Sequence, residues 1–221
     1  MKKNIIALVS ALMFISSQAF AFEGFSIGAT YSSIDYSTTG SESTANADHD
    51  GHNIETTTKK GSADVGSIFA EYTFSQGSTI GVETIQGKAE IGKASRSSSS
   101  PSGTVTVSAE AKNPVTLYVE PTWMANEKFG IYLKGGATLV TVTPKITDSA
   151  NVTDSTYTSK DLYGIMTGIG AKYYYNNFFV KAEYVETDYS KYAHTSTTGE
   201  GNTVTADIDT EETRVSIGYN F

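Results

Sequence analysis

Eight stretches of this chain alternate apolar with polar residues, and one face of every stretch can be laid out free of charge over a common height. They span residues 24–36, 64–74, 79–91, 114–124, 129–143, 161–174, 178–190 and 207–221. A strand turns successive side chains to opposite faces, so a period of two predicts strands. The connections are short around Gln76 and Gly77, around Asn126 and Glu127, and at Asn176 and Asn177; the others are long and rich in Ser, Thr, Gly and Asp. Aligned at their short-turn ends, the stretches start from Phe25, Phe74, Ile80, Trp123, Phe129, Tyr173, Phe178 and Phe221. All but Ile80 are aromatic, as expected of a belt where hydrocarbon meets head groups. Steps of two upward meet residues such as Ile27, Ile68, Val82, Pro121, Leu117, Ile131, Ile169, Val180 and Ile217, and no charge until Asp35, Asp64, Lys88, Glu186 and Glu211. A soluble protein that is 18% charged has no physical reason to spare one face of every strand in this way.

The same registers turn Glu71, Glu83, Glu120, Lys134, Lys172, Lys181, Glu183 and Arg214 to the other face, four acids against four bases. The interior of an eight-stranded barrel is just wide enough for side chains to fill it, so these charges are expected to interlock as a plug in the lumen. Gly28, Gly81, Gly136, Gly164, Gly168, Gly170 and Gly218 share that face and give the long side chains room. The fold expected is all-β: an eight-stranded antiparallel up-and-down transmembrane barrel with short periplasmic turns and long extracellular loops. Within it Pro121 fits poorly, because a closed barrel wants every backbone N–H paired, and a bulge or unpaired site is expected there. Pro114 and Pro144 fall at predicted strand ends and Pro101 in a predicted loop.

Lys2 and Lys3 precede an apolar run from Ile5 to Ile15, and Ala19, Phe20 and Ala21 follow in a small-x-small pattern. This reads as a secretory signal peptide over residues 1–21, with the barrel domain over 22–221. The run is too short to cross a bilayer as a helix, which takes about 20 apolar residues. Removing it leaves 14 basic against 24 acidic residues, a net charge of −10, which gives nucleic acid no electrostatic reason to bind. There is no cysteine, so no disulfide staples the fold.

The last residues, from Arg214 to Phe221, alternate without a break: Val215, Ile217, Tyr219 and Phe221 on one face, Arg214, Ser216, Gly218 and Asn220 on the other. A final aromatic strand of this kind resembles the carboxy-terminal assembly signal of Gram-negative outer-membrane barrels. With signal, eight strands, belt, filled lumen and terminal Phe together, the chain resembles the small OmpA-like and OmpX-like outer-membrane barrels, although no peptidoglycan-binding domain follows the barrel. The resemblance implies a monomeric cell-surface protein inserted by the barrel assembly machinery, embedded among outer-membrane lipid and lipopolysaccharide. Its loops would meet an extracellular ligand or host surface in adhesion, envelope integrity or resistance. No cofactor and no enzymatic activity are expected.

Sharper readings compete with that one. Asp48, His49, Asp50 and His52 could offer imidazole and carboxylate ligands to a divalent ion, but the polar flanks Ser41 to Ala47 and Glu55 to Lys60 read as a mobile, solvated loop tip. The run Ser95 to Gly103 reads as a flexible low-complexity loop. Asp207, Asp209, Glu211 and Glu212 form an acidic rim that reads as solvated rather than as a calcium or magnesium bridge to lipopolysaccharide. His194, Asp188 and Ser190 are close enough in sequence to suggest a rim-mounted hydrolase, yet no nucleophile motif such as G-x-S-x-G supports it. A small channel would need unmatched polar groups in the lumen. A soluble periplasmic barrel would turn its apolar face inward, leaving the belt in water.

Overall fold

The computed structural model describes residues 22–43, 55–85, 87–99, 102–148, 159–195 and 203–221. Residues 1–21 and the Asp48 to His52 cluster lie outside them. The described chain is all β, in eleven segments: β1 (Gly24–Ser43), β2 (Glu55–Thr73), β3 (Thr79–Ile85), β4 (Lys88–Ser99), β5 (Ser102–Glu120), β6 (Thr122–Met124), β7 (Phe129–Asp148), β8 (Lys160–Tyr175), β9 (Phe178–Tyr189), β10 (Tyr192–Thr195) and β11 (Thr203–Asn220). They make eight staves, because β3 with β4, β5 with β6, and β9 with β10 are each one stave with a break. Neighbouring staves pair antiparallel, and β1 pairs with both β2 and β11, so the sheet closes on itself.

Each stave follows the period-two pattern of its sequence. Along β9 exposure alternates without exception from Phe178 to Asp188, with Phe178, Val180, Ala182 and Tyr184 outward and Phe179, Lys181, Glu183 and Val185 inward. Large apolar residues therefore cover the outside of the cylinder: Ile27, Ile68, Leu117, Ile169, Val215 and Ile217 are all more than half exposed. Pro121 departs from the expected exposure. The ladder breaks between β5 and β6 because proline has no N–H to give, and the ring lies buried. Its carbonyl is still used, accepting the Leu133 N–H at 3.2 Å.

The strands run further than the alternation predicts. The Ser41 to Ser43 part of the first loop's near flank belongs to β1 and the far flank, Glu55 to Lys60, to β2; Ser95 to Ser99 lie in β4, and His194 lies in β10 opposite Val204. In the first three of these segments both faces are polar, so the hydrophobic contrast that marks a strand vanishes while the backbone ladder continues. Thr, which suits a pleated surface, recurs along these extensions, as in Thr39 opposite Thr58. Pro144 lies inside β7, opposite Ala109 of β5 and beyond Val142, the last residue that β8 pairs. Pro114 lies inside β5 at a register shift between Lys112 and Val115. Spanning a membrane takes about 9–11 tilted residues per strand, so a 20-residue β1 carries the cylinder well beyond the bilayer.

Candidate functional site

The lower lumen, toward the short turns, is filled by charge. Glu71, Glu83, Glu120, Lys134, Lys172, Lys181, Glu183 and Arg214 are all buried. Glu120 on β5, with no exposed surface, stands at the centre: Lys181 approaches it at 2.9 Å, Lys134 at 3.3 Å and Lys172 at 4.0 Å. Lys181 also reaches Glu71 at 2.6 Å, and Lys134 reaches Glu183 at 2.8 Å. Arg214 pairs with Glu83 and lies 3.5 Å from Glu183. The ions thus form one connected chain linking β2, β3, β5, β7, β8, β9 and β11 across the bore. Removing charges this far from water is costly, and the cost is offset only when each ion has partners on several sides. The extra partners are present: Tyr118 donates to Glu71 at 2.8 Å, Ser67 donates to Glu83, and Lys172 donates to the Gly77 carbonyl at 2.9 Å and the Thr79 hydroxyl at 3.0 Å.

Two components of this packing escaped the sequence reading. The first is Glu212, expected on a solvated rim, which is buried and faces Arg214 at 3.9 Å. It lies two residues from Arg214 on the same strand, so the alternation that turns one inward turns both. The second is a set of inward aromatic rings. Phe69, Tyr118, Tyr132 and Phe179 each lie directly across the ladder from a glycine, Gly28, Gly81, Gly170 and Gly218 respectively. A Cβ at Gly28 would come within 2.3 Å of the Phe69 ring, and one at Gly218 within 2.2 Å of the Phe179 ring. The rings lie flat over these gaps and present their faces to the ammonium groups, with Lys134 4.0 Å from the Tyr118 centroid and Lys181 5.2 Å from that of Phe69. The paired pattern of glycine on one strand and aromatic on the next was legible once strand neighbours were aligned.

Above the ions the lumen changes character. A cavity of about 230 Å³ is walled by Val140, Val142, Leu162 and Ile208, with Tyr189 and Glu212 among its other lining residues. The first four are buried and pack with Tyr192 as an apolar cluster. Among the described residues there is no group of three or more His, Asp or Glu placed to hold a metal. Asp188 points outward from β9 opposite Asp209, and Asp207 pairs with Lys191 at 3.1 Å. Partial burial, then the Asp188 and Asp207 carboxylates, push the Asp209 carboxyl above the usual carboxylate range. The Ser190 hydroxyl oxygen accepts the Tyr163 N–H at 3.1 Å.

The residues at the short-turn ends are exposed on the outside: Phe25 at 70%, Trp123 at 53%, Phe178 at 52%, and Phe74, Phe129 and Tyr173 less so. Val215, Ile217, Tyr219 and Phe221 share that surface, and the Phe221 N–H donates to the Phe25 carbonyl at 2.9 Å.

A family model for the outer membrane protein beta-barrel domain matches residues 5–221. The chain belongs to that family. It is a multi-pass β-barrel of the Gram-negative outer membrane, and its apolar outer wall meets lipid. Among solved structures it is similar to the outer membrane protein OprG from Pseudomonas aeruginosa, at 15% identity and a TM-score of 0.53, covering 93% of this chain and 99% of that one. The outer membrane protease OmpT from Escherichia coli is similar at 11% identity and a TM-score of 0.46, covering 93% and 99%. Ail, the attachment invasion locus protein of Yersinia pestis, is similar at 14% identity and a TM-score of 0.34, covering 85% and 98%. No curated protein sequence matches the chain. At these identities the likeness concerns the fold.

Proposed function

We propose that this protein is a non-conducting, non-enzymatic surface barrel: the ion-filled lower lumen locks the cylinder, and the strand extensions and loops above the bilayer make its external contacts. Adhesion, envelope integrity and resistance to attack are the roles that suit such a body. The carrying observation is the unbroken run of ion pairs from Glu71 through Lys181, Glu120, Lys134, Glu183 and Arg214 to Glu83. An ion entering from either side meets cations and carboxylates already matched to one another, and no unmatched ring of charge draws it through. Planar-bilayer recording of the refolded protein is expected to give no sustained conductance. Steady single-channel steps would overturn the plug and favour a small channel.

The remaining assignments belong to the same reading. Residues 1–21 are removed on export, leaving 22–221 as the barrel. Phe25, Phe74, Trp123, Phe129, Tyr173, Phe178 and Phe221 hold the barrel at the periplasmic interface, with lipopolysaccharide around its outer half. Val215, Ile217, Tyr219 and Phe221 present the assembly signal to the insertion machinery, and the barrel works as a monomer without a cofactor. Against a hydrolase at the rim, the Ser190 oxygen is engaged by a backbone amide and Asp188 stands outward among acids.

A further inference from the structure

The upper cavity has a side door. The ladder between β2 and β3 ends at Ser67 opposite Ile85, and β4 continues the stave by pairing with β5 alone. Among the described residues no ladder joins β4 to the Glu55–Gly66 part of β2, although that part is paired to β1 along its whole length. The separation has a local cause. Gly87, between β3 and β4, has φ +110°, a conformation that side-chain-bearing residues rarely adopt, and Asn113 on β5 has φ +46°. The Asn113 N–H donates to the Gly87 carbonyl at 3.3 Å, and Pro114 follows where the register shifts. Together they mark the break just above Ile85 at which the ladder to β2 stops and β4 begins.

The gap leads into the cavity, because Ala63 and Val65 from β2 and Ile85 from β3 line it opposite Val142 and Leu162. Its lower end lies within the apolar band. Ile85 is five residues above Ile80 and Ser67 seven above Phe74, which for strands rising ~3.3 Å per residue at a tilt of ~40° is roughly 13–18 Å above the aromatic ends of a band ~25 Å tall. The outer wall at its lower end is apolar, with Ile68 and Val115 exposed, and Asp64 and Lys88 flank it above, where charge returns to the outer face. An unpaired strand edge at this depth is costly unless it borders a cavity or is covered. The floor of the chamber is closed to apolar matter by Glu212, Arg214 and Glu83. An apolar chamber of about 150 Å³ accepts a hydrocarbon guest; this one is larger and mostly apolar, with Asp64, Lys88 and Glu212 also in its lining.

We propose that the upper cavity is a blind binding pocket for one acyl chain of an outer-leaflet lipid, admitted sideways from the bilayer between β2 and β4. The chain packs against Val140, Val142, Leu162 and Ile208 and covers the free edge of β2, while its head group stays outside in the leaflet from which it came. The pocket holds the chain and does not pass it on, since the way down is ionic. The proposal does not rest on the functional reading above: a conducting barrel would refute the plug and leave the test below unchanged.

The test places the full refolded barrel, with protonated Ile, Leu and Val methyls on a deuterated background, in nanodiscs of dimyristoylphosphatidylcholine and measures nuclear Overhauser contacts from lipid methylenes. Contacts are expected at Leu162 and Val142, which face the lumen, as well as at the outward control Ile217. Gly66 borders the gap, and a Cβ built there meets nothing within 4 Å, so Gly66→Trp screens the door without a clash at its own base. In that variant the contacts at Leu162 and Val142 are expected to disappear while those at Ile217 persist. Contacts from water or from the protein's own loops in place of lipid would overturn the proposal, and so would lipid contacts that survive Gly66→Trp. Should that variant fail to insert, Leu162→Ala enlarges the chamber and is expected to strengthen the lipid contact at Val142; unchanged intensity overturns the proposal equally.

Discussion

The lower and upper halves of one lumen close in different ways. Below, every stave pairs with both neighbours, and the interior is crowded enough that charges touch rings and rings touch glycine backbones. Above, β4 parts from β2 and the interior is an apolar chamber with a gap in its wall. The difference shows that a closed ladder and a filled bore depend on each other. Where the ladder is complete, side chains from opposite walls fill the bore; above Gly87 and Asn113, where β4 pairs with β5 alone, a cavity remains beside the cluster of Val140, Val142, Leu162, Tyr192 and Ile208.

Substitutions can break that contrast. The largest effect is expected from Glu120→Ala, which leaves Lys134, Lys172 and Lys181 facing one another without their shared carboxylate, and from Arg214→Ala, which strands Glu83 and Glu183. Removing one side of a buried pair costs about 3–5 kcal/mol, read as a lower urea midpoint for the barrel in lipid vesicles. A midpoint within error of wild type for either variant would mean that the lower lumen is not dry. Next is Gly28→Ala, whose new methyl meets both the Phe69 ring and the Ile217 carbonyl and is expected to cost about 1–3 kcal/mol. Gly66→Ala, in the roomy half, is expected to shift the midpoint by no more than about 0.5 kcal/mol. If the two alanines behave alike, the two halves are packed alike.

Smaller still is Lys88→Ala. Lys88 is largely exposed and pairs with Glu110 at 3.1 Å, so its loss is expected to cost at most about 1 kcal/mol, and less in salt. The smallest effect concerns Asp209, above the apolar band. Its raised carboxyl means that the folded state resists the charge, a penalty absent below the unfolded value, growing as pH rises and complete above the folded one. Asp209→Asn should therefore raise the midpoint slightly at pH 7 and leave it unchanged at pH 3. An equal shift at both values would remove the carboxylate repulsion as its cause.

What sequence alone revealed follows the same division. Apolar alternation made the eight staves legible, and the uncharged outer face set their registers because one polar residue out of phase would sit in hydrocarbon. The strand extensions could not be seen in that way: from Ser37 to Ser43 both faces of β1 are polar, and nothing in such a pattern distinguishes a ladder from a loop. Pro121 announced a break, but not that its ring would be buried. Glu212 was assigned by its acidic neighbours when its phase with Arg214 was the better guide. The gap beside β4 depends on two positive φ angles, one at a glycine and one at an asparagine in a run that otherwise reads as strand, and the cavity behind it is visible only once opposite walls are known.

The joint between the first and last strands holds one more consequence. Gly28 and Gly218 face each other there, each lying under a ring borne by the next strand outward, and those two rings, Phe69 and Phe179, stand 6.1 Å apart. Sliding β11 by two residues would keep its inside and outside faces correct, yet set Gly218 against Ser26 or Thr30 and drag Phe179 about 7 Å from its companion. The final zipping step of the cylinder thus carries its own keyway, which admits a single alignment of two ends that meet nearly two hundred residues apart.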